Sequence, residues 1–332
     1  MTVNEPQEAN RSDVSWPRPT VSIIIVSFNT KDLLIKCLAS IRRYPPSVSC
    51  EVIVVDNGSH DGSPDAVERG FPEVSMIRNG ENLGFGAANN RGLRDARGEI
   101  ILFMNSDTEL LPASLEPLLD RLAQQSDVGI VGPTEQLHEG TPYPTICPAP
   151  DFRYVFLTHT KLRYRWYWNS RINPYRLIWE CALASGQPVR VDWLSGASLM
   201  VRRVVLDQVG AFDEGYFMYM EETDLCERVR RAGWGVEYVP AGRIIHHGGG
   251  ATNKVKRGVL TLSGAVSELR YFAKHRSRGE LLLLKGFLFM EFLARLAVSG
   301  LTDPRRWACR EVVRMILGLR PVSVTKADIE GR

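Results

Sequence analysis

Between Val21 and about Val131 the chain alternates runs of β-branched and other apolar residues with segments of helical periodicity, and this alternation constrains the fold most. The runs are VSIIIVSFN, EVIVVDNGS, VSMIRN, EIILFMNSD and VGIVG. They are too continuous for strands with one wet face, so they predict a parallel sheet covered on both sides. Between them, DLLIKCLASIRR places Leu34, Cys37, Leu38 and Ile41 on one helical face, and FGAANNRGLRDA and PASLEPLLDRLAQQ follow, the last opening at Pro112. The expected class is α/β, with a mostly parallel, Rossmann-like sheet and helices on both faces.

What ends the strands carries the first functional hint. The apolar runs stop at Asn29, Asp56, Asn79 with Asn82, and Asp107. Ligands of open α/β sheets bind outside the carboxyl ends of the strands, so these polar residues are expected around one cleft. Residues 134–190 interrupt the alternation with Pro, aromatic and basic residues and are expected to form an irregular lid or insertion, with its aromatic and basic stretch between Arg153 and Arg176. Regularity returns with VRVDWLSGASLMVRR, a helical pattern from Glu221, a strand at Val236–Val239 and RIIHHGGG.

Composition excludes other classes. A net charge of +3 is too small for a nucleic-acid binder, and no nucleic-acid recognition motif is visible. The six cysteines form no CxxC pair, which argues against a disulfide framework or a structural zinc site and favours a reducing compartment. Residues 1–20 read as a flexible leader without a secretory signal.

Five constellations could do chemistry. Asn105-Ser106-Asp107 presents oxygens at a strand end, suited to a hard cation that also grips a diphosphate; the same residues could simply cap the next helix. Asp56-Asn57-Gly58-Ser59 is a turn signature whose acid could meet a nucleobase or ribose. Asn82 to Asn90 puts small residues at a helix start, with amides available to an anion. Glu221-Glu222-Thr223-Asp224 opens a helix directly after Tyr216-Phe217-Met218-Tyr219, apolar surroundings that would raise a carboxyl towards a useful base. His246 and His247 end a strand, where neighbours point to opposite faces, so one of them at most faces the cleft as a metal ligand or phosphate contact.

With these segments in order, the sequence resembles the family 2 glycosyltransferases, inverting enzymes of the GT-A fold, and among them the rhamnosyltransferase-like branch. The matching stretches are VSIIIVSFN, EVIVVDNGSHDGS, ENLGFGAANNRG, ILFMNSD, VDWLSGASLMVRR, FDEGYFMYMEETDLCERVRRAGW and IIHHGGGAT, spanning about residues 21–252. The resemblance implies a nucleotide-diphosphate sugar donor, a divalent cation (Mg²⁺ or Mn²⁺) and a saccharide or polyprenyl-diphosphate-linked hydroxyl acceptor. It implies that Asp56 contacts the nucleobase and that Asp107 coordinates the metal, with Asn105 where the family has Asp. Glu222 falls where the general base resides, with Glu in place of Asp, and Glu221 and Asp224 match the flanking acids. His246, with His247 as the alternative, matches a late metal-binding histidine. Ser27, Asn29, Asn82, Gly84, Asn89, Ser106 and Gly196 fall on donor-binding motifs. The branch implies L-rhamnose from dTDP-rhamnose, in cell-surface polysaccharide synthesis; UDP-galactofuranose or a UDP-hexose, or an inactive nucleotide-binding relative, are the alternatives.

The implied division is a catalytic domain over 21–255, its nucleotide-sugar half at 21–131, followed by a helical extension over 256–332. Residues 270–320 hold 11 Lys/Arg against 4 Asp/Glu. Leu281–Gly300 is interrupted by Lys285, Glu291 and Arg295, which argues against a spanning helix. It leaves an apolar face of Leu282, Leu283, Phe287, Met290 and Leu293, and Arg306, Arg310 and Arg314 form a basic stripe further on. Basic amphipathic helices predict an anionic membrane surface as partner, although helices capping the core need the same pattern. The expected location is cytoplasmic, peripheral to the inner face of the cell membrane, and a homo-oligomer is compatible with the sequence.

Overall fold

A computed structural model describes residues 20–160, 173–298, 300 and 303–330. The leader up to residue 19 and the middle of the aromatic and basic insertion, 161–172, lie outside the described residues.

The strands are β1 (Val21–Ser27), β2 (Cys50–Asp56), β3 (Ser75–Arg78), β4 (Ile100–Asn105), β5 (Thr108–Leu110), β6 (Val128–Gln136), β7 (Ile146–Cys147), β8 (Val189–Arg190), β9 (Trp193–Leu194), β10 (Ser198–Arg202) and β11 (Gly235–His246). The helices are α1 (Lys31–Arg43), α2 (Ser63–Gly70), α3 (Phe85–Asp95), α4 (Glu116–Gln124), α5 (Phe152–His159), α6 (Pro174–Ser185), α7 (Arg203–Val209), α8 (Glu221–Arg231), α9 (Arg257–His275), α10 (Arg278–Val298), α11 (Arg306–Ile316) and α12 (Lys326–Glu330).

One sheet runs β3-β2-β1-β4-β10-β6-β11-β5, with β8 also on β11. β1 pairs in parallel with β2 and β4, β2 with β3, and β6 with β11, while β10 runs antiparallel to both β4 and β6. The sheet is therefore mixed, with most strands pointing one way. β1 is buried along its whole length, as its unbroken apolar run requires. Its alternate residues serve two cores: Ile23 and Ile25 pack with Leu34 and Leu38 of α1 and Leu118 of α4, while Ile24 and Val26 pack with Ala88 of α3 and Leu225 of α8. A third core belongs to the helices, where Leu262 and Phe272 of α9, Leu284 and Leu288 of α10 and Val312 of α11 meet Val155 of α5 and Tyr216.

Several expectations change. The last helix of the first half starts at Glu116, with Pro117 in its first turn, because Ala113 takes a left-handed φ of 54° that stops any helix running from Pro112. The described parts of the insertion include two regular helices: α5 and α6 are each capped by an acidic or amide side chain, Asp151 accepting from the Tyr154 amide and Asn173 from the Tyr175 amide. Val236–Val239 and Arg243–Ile245 form one strand, β11, with a register shift between Val239 and Arg243 where it passes Pro240 and Gly242.

Register positions the cleft. Ser27 of β1 pairs with Asp56 of β2, and Val26 with Asn105 of β4, so three adjacent strands end at one level. Asn105 donates its backbone N–H to Ala197 (2.9 Å), which brings the turn before the reversed β10 to the same edge. His246, at the end of β11, pairs with Thr108 one residue beyond Asp107.

Candidate active site

A cavity of about 220 Å³ sits at this edge. Asn105, Ser106, Asp107 and His246 line it from the strand ends, Gly196 from the turn before β10, Asn57 and Asn82 from the nucleotide half, and Glu221 and Glu222 from the first turn of α8. Asp107 and Glu222, 115 positions apart in the chain, thus share one cavity.

Glu221 and Glu222 are delivered by a strained turn. Tyr219 and Met220 both hold left-handed backbone, φ 73° and 68°, which side-chain-bearing residues adopt only where the surroundings enforce it. Ser267 of α9 supplies part of that enforcement by donating its hydroxyl to the Met218 carbonyl (2.9 Å). Gly196 lies against Glu222: a side chain begun at Gly196 would meet the Glu222 side chain at 3.5 Å. Burial pushes Glu222 above the usual carboxylate range, and burial together with the neighbouring Glu222 charge pushes Glu221 well above it. One carboxylate oxygen of each has no hydrogen-bond partner among the described residues. A buried acceptor left unpaired is costly, and these oxygens are available to a substrate hydroxyl.

Facing them is a carboxylate–imidazole pair. Asp107 Oδ1 lies 3.4 Å from His246 Nε2, and Asp107 Oδ2 accepts the Gly250 N–H at 2.9 Å. Burial opposes ionisation of Asp107, but His246 and the Gly250 amide outweigh it and hold the carboxyl below its ordinary range. Burial likewise disfavours a charged His246, but the carboxylates of Asp107 and Glu135 outweigh it and lift the imidazole to about 10. Glu135 and Tyr143 are site residues the sequence reading missed. Glu135, only 2% exposed, accepts from His246 Nδ1 (2.6 Å) and from the Tyr143 hydroxyl (2.7 Å), fixing the ring orientation. The available signal was a lone acid in the buried strand VGIVGPTEQ.

Three expected site residues lie outside both the cavity and the clefts beside it. His247 turns to the far side of the strand end, where it bonds Glu109 (2.7 Å) and stacks on His138, because consecutive strand residues alternate faces. Asp224 is fully buried outside the cavity and paired with Arg228 (2.7 Å), Lys274 (2.7 Å) and His275 (2.6 Å), so it clamps α8 to α9. Asn89 is buried within α3, donating to the Phe85 carbonyl. The start of α3 offers no free first amide either, since Phe85 N–H is taken by the Phe217 carbonyl (3.0 Å).

The remaining residues frame the cleft. Asp56 is buried; one carboxylate oxygen accepts the Gly58 and Ser59 amides, and the other has no partner among the described residues. Ser27 bonds Thr30, which bonds Ser106, so a hydroxyl chain fixes the turn under Asp107. Asn29, at φ 53°, accepts the His60 amide and lines a neighbouring cleft instead. Gly84, at φ 88°, lies where a side chain would come within 2.4 Å of the Phe217 carbonyl oxygen.

Two stability predictions follow from these contacts. Gly84→Ala is expected to cost about 1–3 kcal/mol, seen as a lower Tm, since it adds backbone strain to a backbone clash. Asp224→Ala is expected to cost about 1–3 kcal/mol in urea unfolding, because it removes the buried acceptor that Arg228, Lys274 and His275 share. The folded Asp224 carboxyl lies below its ordinary range: burial opposes this, and His275, Lys274 and Arg228 outweigh burial. Its contribution is therefore present above about pH 4 and lost as pH falls below that, so the wild type and Asp224→Ala should converge in stability in acid.

The family model for glycosyl transferase family 2 matches residues 22–175. The chain is 36% identical over 215 residues to an N-acetylglucosaminyl-diphospho-decaprenol L-rhamnosyltransferase of Mycobacterium tuberculosis, covering 61% of this chain and 68% of that protein. It is 47% identical over 57 residues to rhamnosyltransferase WbbL of Escherichia coli, 17% of this chain and 22% of that one. Among solved structures, the mannosyltransferase PcManGT of Pyrobaculum calidifontis, in complex with GDP-Man and Mn²⁺, shares the fold with a TM-score of 0.52 at 18% identity, over 91% of this chain and 87% of that one. The mixed α/β sheet shared with such enzymes is the GT-A fold, and with the relatives above it defines the protein as a glycosyltransferase. Within that class, the chain belongs to glycosyl transferase family 2.

Proposed function

We propose that this glycosyltransferase transfers L-rhamnose from dTDP-rhamnose to a hydroxyl of a lipid-linked saccharide, with inversion. The observation that carries the mechanism is the shared cavity, which sets the buried, partnerless Glu222 oxygen against Asp107. Glu222 takes the proton of the acceptor hydroxyl as its oxygen bonds to the anomeric carbon, and the bond from that carbon to the diphosphate breaks on the opposite face. A β-linked donor thus gives an α-L-rhamnosyl product and a free nucleoside diphosphate. Burial and the neighbouring Glu222 charge favour the protonated form of Glu221. The choice of sugar and acceptor is supported by the name of the mycobacterial relative.

A divalent cation fits the residues present. No cluster of three or more His, Cys, Asp or Glu groups suited to a metal exists among the described residues. Asp107 and His246 nonetheless form a carboxylate–imidazole pair at the cavity wall, and Mg²⁺ or Mn²⁺ needs few protein ligands when the donor's phosphates complete its shell. Bound there, the cation supplies positive charge against the leaving diphosphate. Asp107 and His246 are proposed to hold it, His246 giving up its Nε2 proton as the cation binds, with Asn105 and Ser106 beside the donor and Asp56 at the nucleobase. The decisive assay offers dTDP-rhamnose, UDP-galactofuranose and UDP-hexoses with a polyprenyl-diphosphate saccharide and each cation, following nucleoside diphosphate release. Release from no donor would refute the assignment, and release from a UDP-sugar alone would replace rhamnose.

The catalytic unit is proposed to span 21–255, and the extension to rest on an anionic membrane leaflet at the inner face of the cell membrane. No helix of the described residues is long and apolar enough to cross a membrane. On α10, Leu284, Leu288 and Phe292 fill the core, which accounts for part of the amphipathic pattern. Leu282, Leu283 and Met290 remain 68%, 57% and 65% exposed, and Arg310 and Arg314 are exposed on α11. Apolar insertion plus about 1 kcal/mol per basic residue near an anionic surface would hold the chain there. Replacing Leu282, Leu283 and Met290 together by Glu should reduce co-sedimentation with phosphatidylglycerol vesicles about tenfold or more at unchanged Tm.

A further inference from the structure

The 220 Å³ cavity is too small for a whole nucleotide sugar, since sites for molecules of that size are typically about 300–1,000 Å³. The rest of the donor must occupy a neighbouring space, and two clefts border the cavity. The first, about 670 Å³ beside Asn29, Lys31 and Lys254, has no Phe, Tyr or Trp in its wall and shares none of its lining residues with the cavity. The second, about 610 Å³, shares Phe28 and Asn82 with the cavity and adds Gly58, His60 and Phe217. Gly58 donates its amide to Asp56 (3.2 Å), so this cleft lies above the turn that Asp56 caps. An aromatic face beside backbone and amide polar groups suits a planar heterocycle with hydrogen-bonding edges.

The outer wall of the second cleft comes from an unexpected part of the chain: Ser323, Val324, Lys326 and Ile329. This segment is pinned at both ends. Arg320 bonds Glu311 of α11 (3.0 Å) and Asp328, Asp328 accepts the Thr325 amide (2.9 Å), and Lys326 pairs with Glu81 beside the cleft. Glu81 can come that close to the Asp56 turn only because residue 58 is glycine; a side chain begun there would meet the Glu81 backbone at 2.8 Å.

We propose that the segment Ser323–Ile329 walls the subsite for the nucleoside end of the donor, making the helical extension part of the donor site. This rests on the donor reading above. Binding of dTDP and of UDP to the full chain tests it, with Val324→Asp, Ile329→Asp and Asp56→Ala compared by calorimetry. Each tail substitution is expected to weaken the preferred nucleotide about tenfold, the scale of one lost base contact, raising donor KM and leaving kcat and acceptor KM unchanged. In the unaltered protein, where no substitution can disturb folding, the nucleotide should slow hydrogen exchange at 323–329. Unchanged affinity in both tail variants together with unprotected tail amides, while Asp56→Ala loses binding, would overturn the wall. Unchanged binding in Asp56→Ala as well would overturn the nucleobase role of Asp56 and the wall with it.

Discussion

Glu222→Gln is expected to lower kcat by about 100- to 10,000-fold, the range for loss of a general base, with nucleotide affinity retained. The substitution keeps the side chain's size and removes only its ability to accept a proton. The pH profile should separate this from damage to packing. Burial pushes the Glu222 carboxyl up, so the base is spent by protonation at a higher pH than for an ordinary carboxylate. In the wild type kcat should climb with pH across that raised range, and in Glu222→Gln this limb should disappear. Glu222→Asp should restore part of the activity, since it restores the base set back by one methylene. A Glu222→Gln enzyme with wild-type kcat would remove Glu222 from the chemistry.

Asp107→Asn is expected to reduce turnover by about 100- to 1,000-fold, comparable with deleting one preorganised electrostatic contact to a developing charge. Unlike alanine, asparagine can still accept the Gly250 amide, so the loop 248–250 keeps its anchor and the loss reports charge. The independent readout is Mn²⁺ binding in the presence of dTDP, followed by electron paramagnetic resonance, which should weaken in parallel. His247→Ala is the matched control: its imidazole sits with Glu109 and His138 outside the cavity, so both turnover and Mn²⁺ binding should match the wild type. Glu135→Ala belongs between the two. It leaves Asp107 in place and takes the carboxylate from His246 Nδ1, leaving the Tyr143 hydroxyl as its partner (2.7 Å), and losses of about 10- to 100-fold in cation affinity are typical for such outer partners.

Much of the nucleotide half could be read from residue order. Unbroken runs such as VSIIIVS can satisfy their backbone and bury both faces only in the middle of a covered sheet, and β1 lies there. The polar residue that stops each run lies at the sheet's carboxyl edge by the same logic, which is why residue order alone points to Asp56, Asn105 and Asp107. Asp224 shows where this reasoning fails. Its acid stands in the same four-residue cluster as Glu221 and Glu222, but it sits about 200° round the helix from Glu222 and one turn further along than Glu221, in the grip of Arg228, Lys274 and His275. Glu135 fails in reverse, since a strand acid reads as an ordinary buried charge until β11 sets His246 beside it.

The sequence by itself determined the strand-and-helix alternation, the level at which the strands end and the pairing of small and acidic residues there, because these follow from local periodicity and from the cost of burying unpaired polar groups. The tertiary structure alone decided which acids meet. Contacts between Asp107 and His246, between α8 and α9, and between Ser323–Ile329 and the loop at Glu81 span tens to hundreds of positions. Their partners are set by the packing of whole elements, for which no local pattern carries a signature.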